Sequence, residues 1–271
     1  MGKADAALIT AEDGSHILID AGTNKGVCNK DPSATLGMTI WDNPSHQSLL
    51  SPEPLDYEFF KKGAFTMHII LASASPRRRE LIHQIGWTED VLPSSFPEAE
   101  TPEEAKTRIF EFPESVQQIL SCQKGADLVT LFNACGKAKS IFEAKGSETA
   151  IVAADTVVVL DEDILGKPKD EEEARLMLRR LSGRAHEVKT GLSVYHKGHV
   201  HLHVETTRVY FRKLSASEID HYVATGEPMD KAGAYGIQGK GAILVSRIEG
   251  SYDNVVGLPL ARLYEMMREE E

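Results

Sequence analysis

A chain of 271 residues, 41% hydrophobic and 26% charged, is long enough to bury a substantial core and has the composition of a globular protein. Its 30 Lys and Arg stand against 41 Asp and Glu, and this net charge of −11 argues against general affinity for nucleic acid and favours a small-molecule partner. No apolar run reaches the roughly 18–20 residues that span a bilayer, and no basic-then-apolar leader opens the chain. The three cysteines, Cys28, Cys122 and Cys135, suit neither a disulfide framework nor a metal quartet, so a reducing, cytoplasmic compartment is expected.

Residues 1–66 are rich in Pro, Ser, Asp and Asn, and only "SHILIDAG" has strand character. The expectation is an irregular extension on a domain spanning 67–271, with "SHILIDAG" adding a strand to a sheet edge and Trp41, Tyr57, Phe59 and Phe60 packing on the domain surface. From Met67 the pattern sharpens. A short apolar strand covers 68–71. A helix starts at Ser75-Pro76, with Ser75 as its cap, a stripe of Leu81, Ile82 and Ile85, and a stop at Gly86. Residues 102–146 read as helical and irregular. Apolar runs at 151–154 and 157–160 read as strand on either side of Asp155-Thr156. The segment "DEEEARLMLRRLSG" is a helix capped by Asp170, with Ala174, Met177, Leu178 and Leu181 on one face. Two strands follow at 188–195 and 200–211, then a short helix near 217–224, a glycine-rich loop, a strand at 242–248 and a last helix behind Pro259. Strands and helices mix without strict alternation, which predicts an α/β fold with a mixed sheet.

Three stretches carry chemistry. In "LASASPRRRELI" a strand turns into a helix start, where unpaired backbone N–H groups and the helix dipole favour an anion. Arg77 and Arg78 offer forked donors suited to phosphate, and Ser73 and Ser75 offer hydroxyls. A solvated helix start, or a phosphorylatable Ser-Pro, would look the same. In "IVAADTVVVL" an apolar strand carries Asp155, a candidate base or metal ligand, or a carboxylate that ties down a loop. An isolated charge there could be neutralised without loss of stability. The five glycines of "GEPMDKAGAYGIQGKG" predict special backbone dihedrals or close ligand approach. His199, His201 and His203 alternate along one strand face. At about 7 Å spacing they cannot all grip one zinc, so a solvated face is expected.

Together "LASASPRRRELI", "AADTVVVL" with "LGKP", "MLRRLSGRAHEVKTG", "GEPMDKAGAYGIQG" and "GSYDNVVGLPL" resemble the Maf family of nucleoside triphosphate pyrophosphatases, from Met67 to about Met267. The resemblance implies hydrolysis between the α and β phosphates, a divalent cation (Mg²⁺ or Mn²⁺), and a homodimer. It also implies an inosine triphosphatase-like fold with a mixed twisted sheet, flanking helices and a central cleft between two lobes. Asp155 falls on the family's general base and metal ligand, and Lys167 on its "KP" lysine. Glu98 falls on an acidic residue near metal and phosphate, with Glu100 as the alternative. Ser73, Arg77 and Arg78 fall on the phosphate-binding pattern. Lys137 falls on the lysine of a helix whose remaining residues depart from the family pattern. Arg77, Thr156 and Gln238 match the subgroup that prefers dTTP and UTP. Two alternatives stand beside that activity. One is a pyrophosphatase for modified nucleotides, and the other a nucleotide-binding regulator of cell division.

Overall fold

The computed structural model describes residues 67–146, 148–196 and 199–268, together with the backbone of two short strands in the N-terminal segment. Those strands, β1 (Ala7–Thr10) and β2 (His16–Ile19), pair antiparallel, and β2 joins the main sheet in parallel at His16 and His199. The edge strand expected from "SHILIDAG" is therefore present. The rest of the extension, with Trp41, Tyr57, Phe59 and Phe60, lies outside the described residues.

The main body begins with β3 (His68–Leu71), α1 (Pro76–Gln84) and β4 (Thr88–Val91). Three helices follow, α2 (Pro102–Arg108), α3 (Glu114–Ser121) and the long α4 (Gly125–Lys145). Then come β5 (Ile151–Leu160), β6 (Asp163–Leu165), α5 (Glu171–Leu181), β7 (Ala185–His196), β8 (His199–Phe211) and α6 (Ala216–Val223). The glycine-rich segment forms 3₁₀ turns at Glu227–Asp230, Ala232–Ala234 and Gly239–Leu244, and β9 (Val245–Glu249), α7 (Tyr252–Val256) and α8 (Leu260–Arg268) complete the chain. The strands form one mixed sheet in the order β1-β2-β8-β7-β5-β3-β4, with β6 also beside β5 and β9 beside β8.

Two differences from the sequence reading have clear causes. The runs on either side of Asp155 are one unbroken strand, because β7 pairs with β5 along its length, including Asp155 opposite Gly191. The last strand starts only at Val245, because the glycines ahead of it wind into a 3₁₀ turn. Two further expectations fail. His201 is buried, so the histidine row is not a solvated face. Cys122 is disulfide-bonded, whereas Cys135 is a free buried thiol.

Apolar side chains fill both faces of the sheet. On one side α2, α3 and α4 pack through Phe112, Leu120 and Phe132. On the other, α1 and α8 form one cluster with β3, while α5 and α6 form a second with β7 and β8. The position of α4 depends on two glycines. A Cβ on Gly191 would lie 2.4 Å from the carbonyl of Thr130, so only glycine lets the α4 backbone rest directly on β7. Gly136 does the same for the Phe96 ring, which would meet a Cβ at 2.1 Å.

Gly191→Ala must therefore push α4 off the sheet. We expect a loss of about 1–3 kcal/mol, the usual range for overpacking a tight core, read as a lower denaturation midpoint. A midpoint equal to that of the unaltered protein would show that α4 does not rest on the β7 backbone.

Candidate active site

A strand in the middle of a sheet normally has neighbours on both sides. β5 has β7 along one side, but its other side is shared. β3 pairs with it at Ile151 and Val152, and β6 pairs with it from Val158 to Leu160. Between those two ladders the sheet is split, and an open cleft of about 1220 Å³ occupies the split. Asp155 and Thr156 sit at the break. As neighbours in a strand they point to opposite faces, yet both line the cleft because it opens at the strand edge.

On the α4 face Asp155 is only 8% exposed, so its charge needs partners. Lys137 and Asn133, one turn apart on α4, supply them. Lys137 Nζ lies 2.7 Å from Asp155 Oδ1, and Asn133 Nδ2 donates to Asp155 Oδ2 at 3.1 Å. The same ammonium reaches Glu98 Oε1 at 3.0 Å, so one cation holds two carboxylates from separate segments. Asn133 also grips the Glu98 loop, with Oδ1 accepting from the Ala99 amide at 2.8 Å and Nδ2 donating to the Ala99 carbonyl at 3.0 Å. The Asp155 charge is thus paired, not isolated. Neutralising it leaves Lys137 with Glu98 alone and costs stability, contrary to the expectation for an isolated charge.

On the opposite face Arg78 is the organising cation. It donates from Nε to the Gly257 carbonyl at 2.7 Å, from one terminal nitrogen to Ser73 Oγ at 3.1 Å, and from the other to Thr156 Oγ1 at 3.1 Å. Three of its five N–H groups are spent on the protein, which leaves two for a ligand. Burial lowers its pKa, while Asp155 and Glu98 oppose that shift. Thr156 continues the network to Thr190 at 2.9 Å. Gly257 has a φ of 126°, a backbone conformation that glycine supplies without strain.

The three consecutive arginines separate. Arg79 turns to Glu89 at 3.0 Å. Arg77 reaches across the cleft to Asp230 at 2.7 Å. Desolvation would raise the Asp230 pKa, but hydrogen bonds from Lys231 and Arg77 outweigh it and hold the carboxyl at about 2. Ser75 takes the cap position of α1, but its side chain makes no capping bond, and its amide donates instead to Ser73 Oγ at 3.2 Å.

Residues 68–270 match the family described as Maf-like protein. The chain belongs to the Maf family. Curated relatives named dTTP/UTP pyrophosphatase align along nearly their whole length. The one from Carboxydothermus hydrogenoformans is 44% identical over 206 residues, covering 75% of this chain and 98% of the relative. The one from Geobacillus sp. (strain WCH70) is 45% identical over 194 residues, covering 72% and 93%. A solved Ham1 protein of Staphylococcus aureus aligns at 12% identity with a TM-score of 0.40 over 75% of this chain and all of its own, a likeness too slight to bear on the fold.

Set against the family resemblance, Ser73, Arg77, Arg78, Glu98, Lys137, Asp155, Thr156, Lys167 and Gln238 all line the one cleft. They are not all in contact. Asp155, Lys137 and Glu98 form one cluster, and Ser73, Arg78 and Thr156 another, while Lys167 and Gln238 line the walls. Glu100 lines the cleft too, but Glu98 and not Glu100 pairs with Lys137. The sequence does not single out Asn133 or Gly257, whereas Asp230 is one of the polar residues, with Lys231 and Gln238, that it shows inside the glycine-rich loop. For Asn133 a signal existed, since it lies one helical turn before Lys137 in a largely apolar helix.

Asn133→Leu keeps the volume but leaves the Ala99 amide and carbonyl without their partner and Asp155 Oδ2 without a donor. Stability should fall by roughly 1–3 kcal/mol, the cost of unsatisfied buried polar groups, and kcat should fall with it. A variant with unchanged thermal midpoint and unchanged kcat would show that Asn133 holds neither the loop nor the carboxylate.

Proposed function

We propose that this chain hydrolyses nucleoside triphosphates, dTTP and UTP preferentially, to the monophosphate and pyrophosphate. The observation that carries the reading is the placement of the buried Asp155–Lys137 pair, the Glu98 carboxylate on the same ammonium, and the Arg77–Arg78 helix start in one cleft. The names of the curated relatives agree with it.

The charge of the cleft supports a polyanionic substrate that brings a cation. Although the chain carries −11, the cleft lining holds seven Lys or Arg and six Asp or Glu, which is close to balance. A triphosphate placed there needs more positive charge. Asp155 and Glu98 offer hard oxygen donors on one ammonium, and this set fits Mg²⁺ or Mn²⁺ held by one or two carboxylates and the substrate's own phosphates. Such an ion would neutralise phosphate charge as bond breaking begins.

The side chains take the remaining roles. The first turn of α1, the two free N–H groups of Arg78, and Arg77 bind the phosphates. Lys167 approaches from the β6–α5 side of the cleft and stabilises charge on the departing pyrophosphate. Each oxygen of Asp155 keeps a lone pair beyond its bond to α4. One of them takes the proton of the water whose oxygen attacks the α-phosphorus, as the bond to the bridging oxygen breaks. Thr156 and Gln238 line the cleft where they can contact the base, and Gln238 offers both a donor and an acceptor. Residues 67–271 constitute the catalytic domain, the homodimer is its assembly, and the cytoplasm, which supplies nucleotide and Mg²⁺, is its location.

Asp155→Asn removes the proton acceptor without changing shape. The expected loss in kcat is roughly 10²–10⁴-fold, measured as pyrophosphate release from dTTP. Its thermal midpoint should fall, because Lys137 keeps only Glu98. More than half the activity remaining would refute the assignment. A protein beginning at Met67 should fold and keep kcat within a few-fold, with some stability lost where the β8 edge is uncovered. A folded but inactive truncation would place part of the site in residues 1–66.

A further inference from the structure

We infer that Glu227 and Tyr222, neither of which lines the cleft, are positioning residues that fix Gln238 for base recognition; this rests on the reading above that Gln238 contacts the base. Gln238 lies at the tip of the segment Gly236–Gly241, and its side chain makes no hydrogen bond within the described residues. The backbone on both sides of it is tied to one carboxylate and one phenol. Glu227 Oε2 accepts from the Lys240 amide at 3.1 Å, and Glu227 Oε1 accepts from the Gly241 amide at 3.2 Å. The Tyr222 hydroxyl accepts from the Gly236 amide at 3.1 Å and donates to Glu227 Oε1 at 3.1 Å.

The glycines are explained by that closure. A Cβ on Gly241 would lie 2.2 Å from the Gly236 carbonyl oxygen and 2.6 Å from the Tyr222 hydroxyl. Gly239 has a φ of +63° and would bring a Cβ to 3.1 Å from both Glu227 carboxylate oxygens. Only side chains this small let the loop fold around the carboxylate. Burial raises the Tyr222 pKa, so the phenol stays a donor. The carbonyl of Glu227 also accepts from Lys231 Nζ at 2.6 Å, and the same ammonium meets Asp230, the partner of Arg77. The clamp therefore connects the loop that carries Gln238 to the arginine at the phosphate end.

The physical consequence concerns entropy. A glycine-rich loop left free must be ordered by the ligand, and that ordering lowers affinity. A loop already ordered by Glu227 presents Gln238 at no such cost. The clamp should therefore act on KM and base preference, not on bond breaking.

The test compares full-length Q238A, E227Q and Y222F, and the doubles E227Q/Q238A and Y222F/Q238A, in pyrophosphate release from dTTP, UTP and dATP. In E227Q one carbonyl oxygen must serve three donors, and in Y222F only the hydroxyl is lost. Each single variant should raise KM for dTTP and UTP by about 3–10-fold, on the scale of one hydrogen bond, with kcat nearly unchanged and the preference over dATP reduced. Each double should lose no more preference than Q238A alone, because a positioning residue has nothing left to position. Additive losses in the doubles, or a kcat loss equal for all three substrates, would overturn the inference. So would intact preference in E227Q and Y222F while Q238A loses it. If Q238A itself keeps full preference, the base-reading role falls first and the inference falls with it. Should E227Q prove insoluble, Y222F and its double decide alone.

Discussion

The ion pair between Lys137 and Asp155 is the constraint on which the rest of the site depends. Both side chains are about a tenth exposed, and a buried charge without a partner costs far more than folding can spare. The pair forms only if α4 lies directly on β5 and β7. Gly191, opposite Asp155 in the ladder, makes that approach possible, and Gly136 admits the Phe96 ring that packs the Glu98 loop against the same helix. A buried carboxylate, its cationic partner and a second acidic residue are therefore brought together by two absent side chains.

The split in the sheet is what leaves the pair open to the cleft. Were β3 or β6 to continue along β5, Asp155 and Thr156 would be covered. β3 instead ends at Leu71 and turns into the loop that starts α1, and β6 begins only opposite Val158. The broken edge exposes both faces of one strand to one cleft. Asp155 then belongs to the Lys137 cluster on the α4 side and Thr156 to the Arg78 network on the other. Arg78 joins three segments that are distant in sequence, through Ser73, Thr156 and Gly257. That role accounts for a half-buried guanidinium at the cleft wall, held by neutral oxygens of three segments.

The glycine-rich loop closes the opposite wall by the same logic of charge. Asp230 draws Arg77 across the cleft, and Glu227 gathers the amides around Gln238. Two acidic groups of this loop thus hold one arginine and two backbone amides in place.

The sequence by itself determined the family, the mixed α/β class and most of the charged residues that meet in the cleft, among them Arg77, Arg78, Glu98, Lys137 and Asp155. These are written locally: a helix start after a strand, a carboxylate inside an apolar run, glycines at fixed spacing. It also showed α5 and its Asp170 cap, because an amphipathic helix carries its signal within a dozen residues. What it could not show was pairing at a distance. Asn133 reads as one polar residue in a helix until Ala99 and Asp155 are placed beside it. Asp155 reads as an isolated charge until α4 brings Lys137. His201 reads as exposed until the strand is set in its sheet. The reason is the same in each case. Periodicity reports which face of an element is apolar, whereas the partner of a buried polar group comes from another element, and only tertiary packing decides which one arrives.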